Sequence, residues 1–174
     1  HVAVLCESYP TGQRQALLSA LEEHGFAYAA TAHADTAVAS AVALVSRYRM
    51  TDVRQHITNG PNRQRLLEAW IEGYLVAGAY FPLKRPKVEF WRNDFLPWAR
   101  DRLGEPAVVL GDWNTGLHHI DEAGRTFQGA LEFAEMEAIG WTDGWRAFHG
   151  QELDYTWYSN AGNGFRLDHA FISP

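Results

Sequence analysis

The sequence predicts a mixed α/β fold, on three observations. Short apolar runs of strand length recur from one end to the other, segments with leucines or aromatics at helical spacing separate them, and the last runs lie at hairpin-like distance. The 174 residues are 47% hydrophobic, enough to bury a core of ordinary size. Neither an internal repeat nor a low-complexity segment divides them, and the Ala-rich piece from Ala27 to Ala43 is the one compositional drift, so a single domain over 1–174 is expected.

Val2-Ala3-Val4-Leu5-Cys6 has the continuous apolar character of a buried strand, and Ser8, Pro10 and Gly12 supply the turn after it. Thr11 is placed to cap a helix whose Leu17, Leu18 and Leu21 share one face, with Gly25 at the position where a left-handed residue ends it. Ala41–Ser46 and Tyr74–Tyr80 are two more strands, and the polar stretch from Thr51 to Arg65, with Gly60-Pro61, is a loop or an edge region. From Pro86 to Leu103 the residues Val88, Trp91, Phe95, Trp98 and Leu103 recur at helical spacing, which predicts an amphipathic helix with its basic residues on a solvated face. Pro106–Leu110 is the next buried strand, Thr126–Ile139 a helix with Gly140 behind it, and Tyr155–Trp157 and Phe165–Ile172 are the closing strands.

Composition removes several classes. No apolar run approaches the roughly 18 residues of a membrane span, so no membrane insertion is expected. The single Cys6 has no partner for an internal disulfide, and its apolar setting predicts a buried, inert thiol. A net charge of −6 argues against an indiscriminate polyanion-binding surface, since nonspecific affinity for nucleic acid comes from clustered Lys and Arg. Phosphate recognition must then be local. The seven Trp, seven Tyr and nine Phe are explained mainly by a large core and secondarily by base stacking.

The sharpest chemical signal is Val108-Val109-Leu110-Gly111-Asp112-Trp113-Asn114, an apolar strand running into a carboxylate and an amide two residues apart. Period-two geometry puts both on one side, where they offer a hard-oxygen ligand beside a hydrogen-bond donor. A strand-to-turn cap is the plainer alternative, because Gly, Asp and Asn are all turn residues. The layout recurs where Val2–Cys6 ends at Glu7 and where Tyr74–Ala79 ends at Tyr80-Phe81-Pro82. In Phe165–Phe171, alternation puts Arg166 and Asp168 on one face, as a buried ion pair or as part of a site. His118-His119 with Asp121 has the residue types of a zinc site, but adjacent histidines in a loop seldom present both rings to one tetrahedral ion.

Leu5-Cys6-Glu7-Ser8, Tyr80-Phe81-Pro82, Gly111-Asp112-Trp113-Asn114 and Phe165-Arg166-Leu167-Asp168, in this order, resemble the endonuclease/exonuclease/phosphatase (DNase I-like) superfamily in its bacterial form. Ala43–Arg47, Gly140–Arg146 and Thr156–Asn160 are similar to further segments of that family, so the resemblance spans the chain. It implies a four-layer α/β sandwich, two mixed β-sheets packed face to face with helices outside. It also implies hydrolysis of phosphodiester bonds with Mg²⁺ or Mn²⁺. In that pattern Glu7 is the principal metal ligand, with Asp112 and Asn114 joining it. Asp112 orients or deprotonates the attacking water, Asn114 holds the phosphate or a water, Tyr80 contacts the phosphate or leaving oxygen, and Asp168 braces a histidine. Asn160, Asn163 and Arg166 are the expected substrate-binding residues. The resembling family begins one strand earlier, with an asparagine, and ends in a Ser-Asp-His segment. Neither is present, so the chain is expected to be truncated at both ends and weakly active or inactive by itself.

The substrate expected is DNA or another nucleic acid, with a small phosphoester or phospholipid head group as the alternative and a non-catalytic binding module as a further one. No obligate protein partner is evident, and a cytoplasmic location is the favoured expectation.

Overall fold

The computed structural model describes residues 1–9, 11–34 and 39–174, so the turn expected at Pro10 lies outside the described residues. Two compact units divide the chain, one formed by 1–80 with 107–111, the other by 81–106 with 112–174.

The first unit holds β1 (Val2–Ser8), α1 (Gly12–Glu23), β2 (Tyr28–Thr31), β3 (Ala41–Ser46), β4 (Met50–Gln55), β5 (Leu66–Ile71), β6 (Tyr74–Ala79) and most of β7 (Ala107–Asp112). One sheet is antiparallel in the order β1-β3-β2, and in the other β4-β5-β6 is an antiparallel meander that β7 joins in parallel. β3 is central, and every one of its residues is buried, which is why it carries no alternation. The two sheets pack through Val42 and Leu44 from one and Leu67, Ala69 and Val76 from the other. Gly78 marks how closely they approach: a Cβ there would lie 2.6 Å from Val42 Cγ1 and 2.9 Å from Val4 Cγ1. Only glycine fits. The turn between β5 and β6 is the two-residue Glu72-Gly73, both at positive φ (50° and 85°), the twist a tight hairpin needs.

β5 had no distinct periodic signal, because Glu68 is buried within its apolar run. The stretch expected as loop or edge contains β4, whose pairing to β5 places it at one edge of the sheet order. Thr11 precedes α1 as expected but makes no side-chain cap hydrogen bond, and none of the helix residues is buried.

The second unit is helical from Pro86 to Asp101: α2 (Pro86–Phe90), a π-helical turn (Trp91–Phe95) and α3 (Leu96–Asp101). Pro97 explains the wide turn, since it has no N–H for the regular ladder and its ring crowds the preceding carbonyls. α4 (Ala130–Ala138), β8 (Thr142–Asp143), α5 (Gly144–His149), β9 (Trp157–Tyr158), β10 (Gly164–Phe165) and β11 (Asp168–Ile172) follow. α4 begins four residues later than the periodicity indicates, because the Glu122 carboxylate holds Thr126 N (2.7 Å) and Phe127 N (3.0 Å) in a loop instead. The expected strand 165–172 is broken at Arg166-Leu167 for a reason that belongs to the site. The unit's core is aromatic, with Phe81, Phe90, Trp91, Phe95, Trp98, Trp113, Phe133, Trp141 and Phe171 all buried. No helix among the described residues is long and apolar enough to cross a membrane.

Candidate active site

In the first unit the register of β1 against β3 shifts between Leu5 and Ser8, and Glu7 sits within the shift at φ 55°. A non-glycine residue in that region is uncommon, and such bulges redirect a side chain that regular pleating would alternate. The exposed Glu7 carboxylate accepts a 2.7 Å hydrogen bond from the Tyr80 hydroxyl. Tyr80 is itself buried and held from behind: its N–H donates to Arg65 O (2.9 Å), Arg65 Nη1 donates to its carbonyl (3.2 Å), and the guanidinium lies 5.3 Å from its ring centroid. A cavity of about 350 Å³ is lined by Glu7 together with Ser8, Arg14 and Leu17.

In the second unit β7 ends at Asp112 and Trp113 is buried, and a side-chain turn, not strand pleating, brings Asn114 back beside Asp112, as the turn chemistry of Gly, Asp and Asn allows. Asn114 adopts φ 52°, which asparagine tolerates better than most residues. Its N–H donates to Asp112 Oδ1 (2.9 Å), and Nδ2 donates to Phe81 O (3.0 Å) and Asp112 Oδ2 (3.3 Å). The flanking backbone is fixed as well, Phe81 N to Asp112 O (2.9 Å) and Trp113 N to Leu167 O (2.8 Å). With both amide hydrogens engaged, Asn114 Oδ1 is the atom left for a cation or a water.

Lys87 corrects the expectation of a solvated basic face. It is 4% exposed, and its Nζ donates to the Asn114 carbonyl. Burial lowers its pKa to about 8, against the opposing influence of the Asp112 charge. Nothing in the helical periodicity could reveal this, because the ammonium's partner is a backbone carbonyl 27 residues away.

Arg166 and Asp168 do not share a face, and the expected substrate-binding role of Arg166 is corrected by its surroundings. Arg166 is buried, with Nε donating to Asp121 Oδ1 (2.7 Å) and Nη2 to Asp143 Oδ2 (2.6 Å), while Asp168 is exposed. Reaching two carboxylates takes the chain out of strand geometry, so alternation cannot be carried back past β11. Arg146 also donates to Asp121, and Asp143 caps α5 through Trp145 N and Arg146 N. Burial alone would raise the Asp121 carboxyl, but the hydrogen bonds from Arg166, Leu117 N and Arg146 hold it below the ordinary carboxylate range. Asp121 and Asp143 are therefore partners of the buried arginines. Asp168 N donates to Thr156 Oγ1 (3.2 Å). Asn160 and Asn163 are exposed between β9 and β10, where Asn163 N donates to Ser159 Oγ (3.1 Å). His118 Nδ1 meets Glu122 Oε1 at 2.8 Å, while Asp121 turns to the arginines.

A profile of the Endonuclease/Exonuclease/phosphatase family matches residues 1–174. The chain belongs to that family. No curated protein matches the sequence. Among solved structures, a 3′-5′ exonuclease (NExo) from Neisseria meningitidis superposes with a TM-score of 0.79 at 24% identity, covering 99% of this chain and 76% of that one. An AP endonuclease from Archaeoglobus fulgidus gives 0.80 at 19%, with the same coverages. A structure of the 3′ phosphatase NExo from Neisseria bound to product DNA hairpin gives 0.78 at 23%, again covering 99% and 76%. These likenesses establish the DNase I-like α/β fold for this family member, and its family is one of phosphoester hydrolases.

Proposed function

We propose that the chain carries the machinery of a Mg²⁺- or Mn²⁺-dependent phosphodiesterase acting on DNA. The observation that carries this reading is the Asp112–Asn114 turn, a carboxylate and an amide locked side by side at a strand end in a member of a phosphoester-hydrolase family. The nuclease and 3′ phosphatase relatives support DNA as the substrate class.

Each unit offers oxygen donors of the kind a hard cation takes, an exposed Glu7 carboxylate in the first and the Asn114 amide oxygen in the second, and Mg²⁺ takes one or two protein carboxylates while keeping several waters. Among the described residues no group of three or more His, Cys, Asp or Glu is placed to hold a metal. When bound, the ion polarises a phosphoryl oxygen and offsets the charge that builds on the phosphate. Tyr80 donates to Glu7 and fixes the carboxylate's direction. Asp112 orients the attacking water and takes its proton, with its own two oxygens held by Asn114 N and Nδ2. Asp168 braces a histidine in this reading.

The test is hydrolysis of an abasic duplex and of a 3′-phosphorylated hairpin with Mn²⁺, with and without chelator. Asp112→Ala should lower turnover by about a hundredfold or more, the usual loss when a base or positioning group is removed, with its melting temperature kept. Full activity in Asp112→Ala would remove this strand end from the chemistry. The acidic net charge of −6 favours a second reading, in which the substrate is a small phosphoester, and a parallel screen of such compounds separates the two.

A further inference from the structure

Lys87 is a buried charged residue of the second unit that the proposed chemistry leaves without a task. Its ammonium is buried at 4% exposure, and desolvating a charge is unfavourable unless a partner compensates. It also occupies the second residue of α2, where the helix dipole disfavours a cation. Its stem runs past Gly129, where a Cβ would lie 3.5 Å from Lys87 Cδ and 3.3 Å from the Trp91 ring; Gly129 has φ 89°. A methionine would fill that channel without the desolvation, so packing does not account for the amine.

Its partner does. Asn114 has a left-handed backbone, and four of its hydrogen bonds meet Asp112, Phe81 and Lys87. Three of them arise from Asn114 as donor. Lys87 supplies the fourth, to the Asn114 carbonyl, and a charged donor makes the stronger class of hydrogen bond. We propose that Lys87 is a positioning residue: by gripping the Asn114 carbonyl it locks the left-handed turn, and through that turn it sets the mutual orientation of the Asp112 carboxylate and the Asn114 amide. The proposal deepens the reading of Asp112 and Asn114 as reaction groups and rests on it for its kinetic consequence. The hydrogen bond of the Lys87 ammonium goes to the Asn114 backbone, so its positioning role runs through Asn114 and not through substrate.

The experiment compares the full chain with Lys87→Met and Lys87→Arg. The first readout is the Asn114 side-chain amide pair in a ¹⁵N–¹H spectrum, identified by its absence in Asn114→Ser. The pair should shift and broaden in Lys87→Met and return towards the wild-type position in Lys87→Arg. The second is Mn²⁺-dependent hydrolysis of bis(p-nitrophenyl) phosphate, where Lys87→Met should lower kcat by about ten- to a hundredfold, as loss of a supporting partner does, with KM within about threefold. An unchanged Asn114 pair in Lys87→Met overturns the proposal, whatever happens to activity. Should Lys87→Met fail to fold, Lys87→Arg decides: a wild-type Asn114 pair supports the grip, and a displaced pair with wild-type kcat overturns it. If the wild-type chain hydrolyses no phosphoester, the amide spectrum still decides whether Lys87 orders Asn114.

Discussion

The unit that carries Glu7 and Tyr80 is built on aliphatic side chains from two sheets, Val42, Leu44, Leu67, Ala69 and Val76 among them. The unit that carries Asp112 and Asn114 is built on rings. Trp113 lies 4.9 Å from Phe171, 5.2 Å from Phe95, 5.3 Å from Phe81, 5.5 Å from Trp91 and 5.7 Å from Phe133, centroid to centroid. Methyl groups at Val42 and Val4 close the first core so tightly that position 78 must be glycine. Rings fill the second in edge-on and stacked pairs, but they bring polar atoms with them: Trp91 Nε1, Trp113 Nε1, Trp145 Nε1 and His169 Nδ1 are buried without a hydrogen-bond partner. The contrast teaches that the ring-built unit concentrates its burial in a few large side chains and carries more unmet polarity, so it should lose more when one of those rings is removed and be the more sensitive to acid.

The largest effect should come from Trp113→Ala, at about 3–5 kcal/mol by the usual cost of removing a buried large ring. Val42→Ala in the first unit removes less volume from an equally tight core and should cost about 1–3 kcal/mol. Urea unfolding of both variants tests the contrast, and equal losses would break it.

Acid sensitivity comes next, through His169. The ring is 4% exposed, and its Nε2–H donates to Thr115 O at 2.7 Å. Burial, helped by the Arg166 charge, lowers its pKa from the ordinary histidine value to about 4. The unfolded chain therefore takes up the proton first as pH falls. Stability from this group is complete above about pH 6.5 and declines through the interval down to about pH 4, by about 3 kcal/mol at most on the free-energy equivalent of such a shift. Asp121 has a depressed carboxyl and gives way only below the ordinary carboxylate range, outside this window. Urea midpoints at pH 7.5 and pH 5 should differ in the wild type and converge in His169→Gln. A slope that persists in His169→Gln would assign the acid response to other groups.

Most of the strands and helices were legible because their burial follows period and run length, as in the wholly buried Ala41–Ser46 and the helix opened by Pro86. β5 escaped because buried Glu68 interrupts its apolar run. In the site, the turn residues Gly111, Asp112 and Asn114 mark where the strand ends, and the side-by-side placement of Asp112 and Asn114 comes from a left-handed turn there, which period-two alternation does not describe. What could not be read were side chains serving partners distant in sequence: Lys87 on the Asn114 carbonyl, Arg65 on the Tyr80 carbonyl, and Arg166 between Asp121 and Asp143. A positive charge in a polar stretch has the same appearance whether its partner is water or a buried backbone oxygen.

The smallest effect separates the two units at their chemistry. In the first unit Tyr80 supports Glu7 with one hydroxyl hydrogen bond of 2.7 Å, and the ring itself is already fixed by Arg65 and by its own backbone bond to Arg65 O. Tyr80→Phe keeps the ring, its stacking on the guanidinium and the backbone contacts, and removes only the donor. An exposed carboxylate that loses a single neutral donor rotates more freely but stays solvated, so the loss is that of one ordinary hydrogen bond, about 1 kcal/mol. Turnover with Mn²⁺ should fall by about fivefold to tenfold, an order of magnitude less than for Asp112→Ala, and the Mn²⁺ concentration needed for half-maximal rate should rise by a similar factor. Rate against Mn²⁺ concentration measures both. A rate loss equal to that of Asp112→Ala, with the half-maximal Mn²⁺ concentration unchanged, would mean that the hydroxyl acts on the phosphoester itself and not through Glu7.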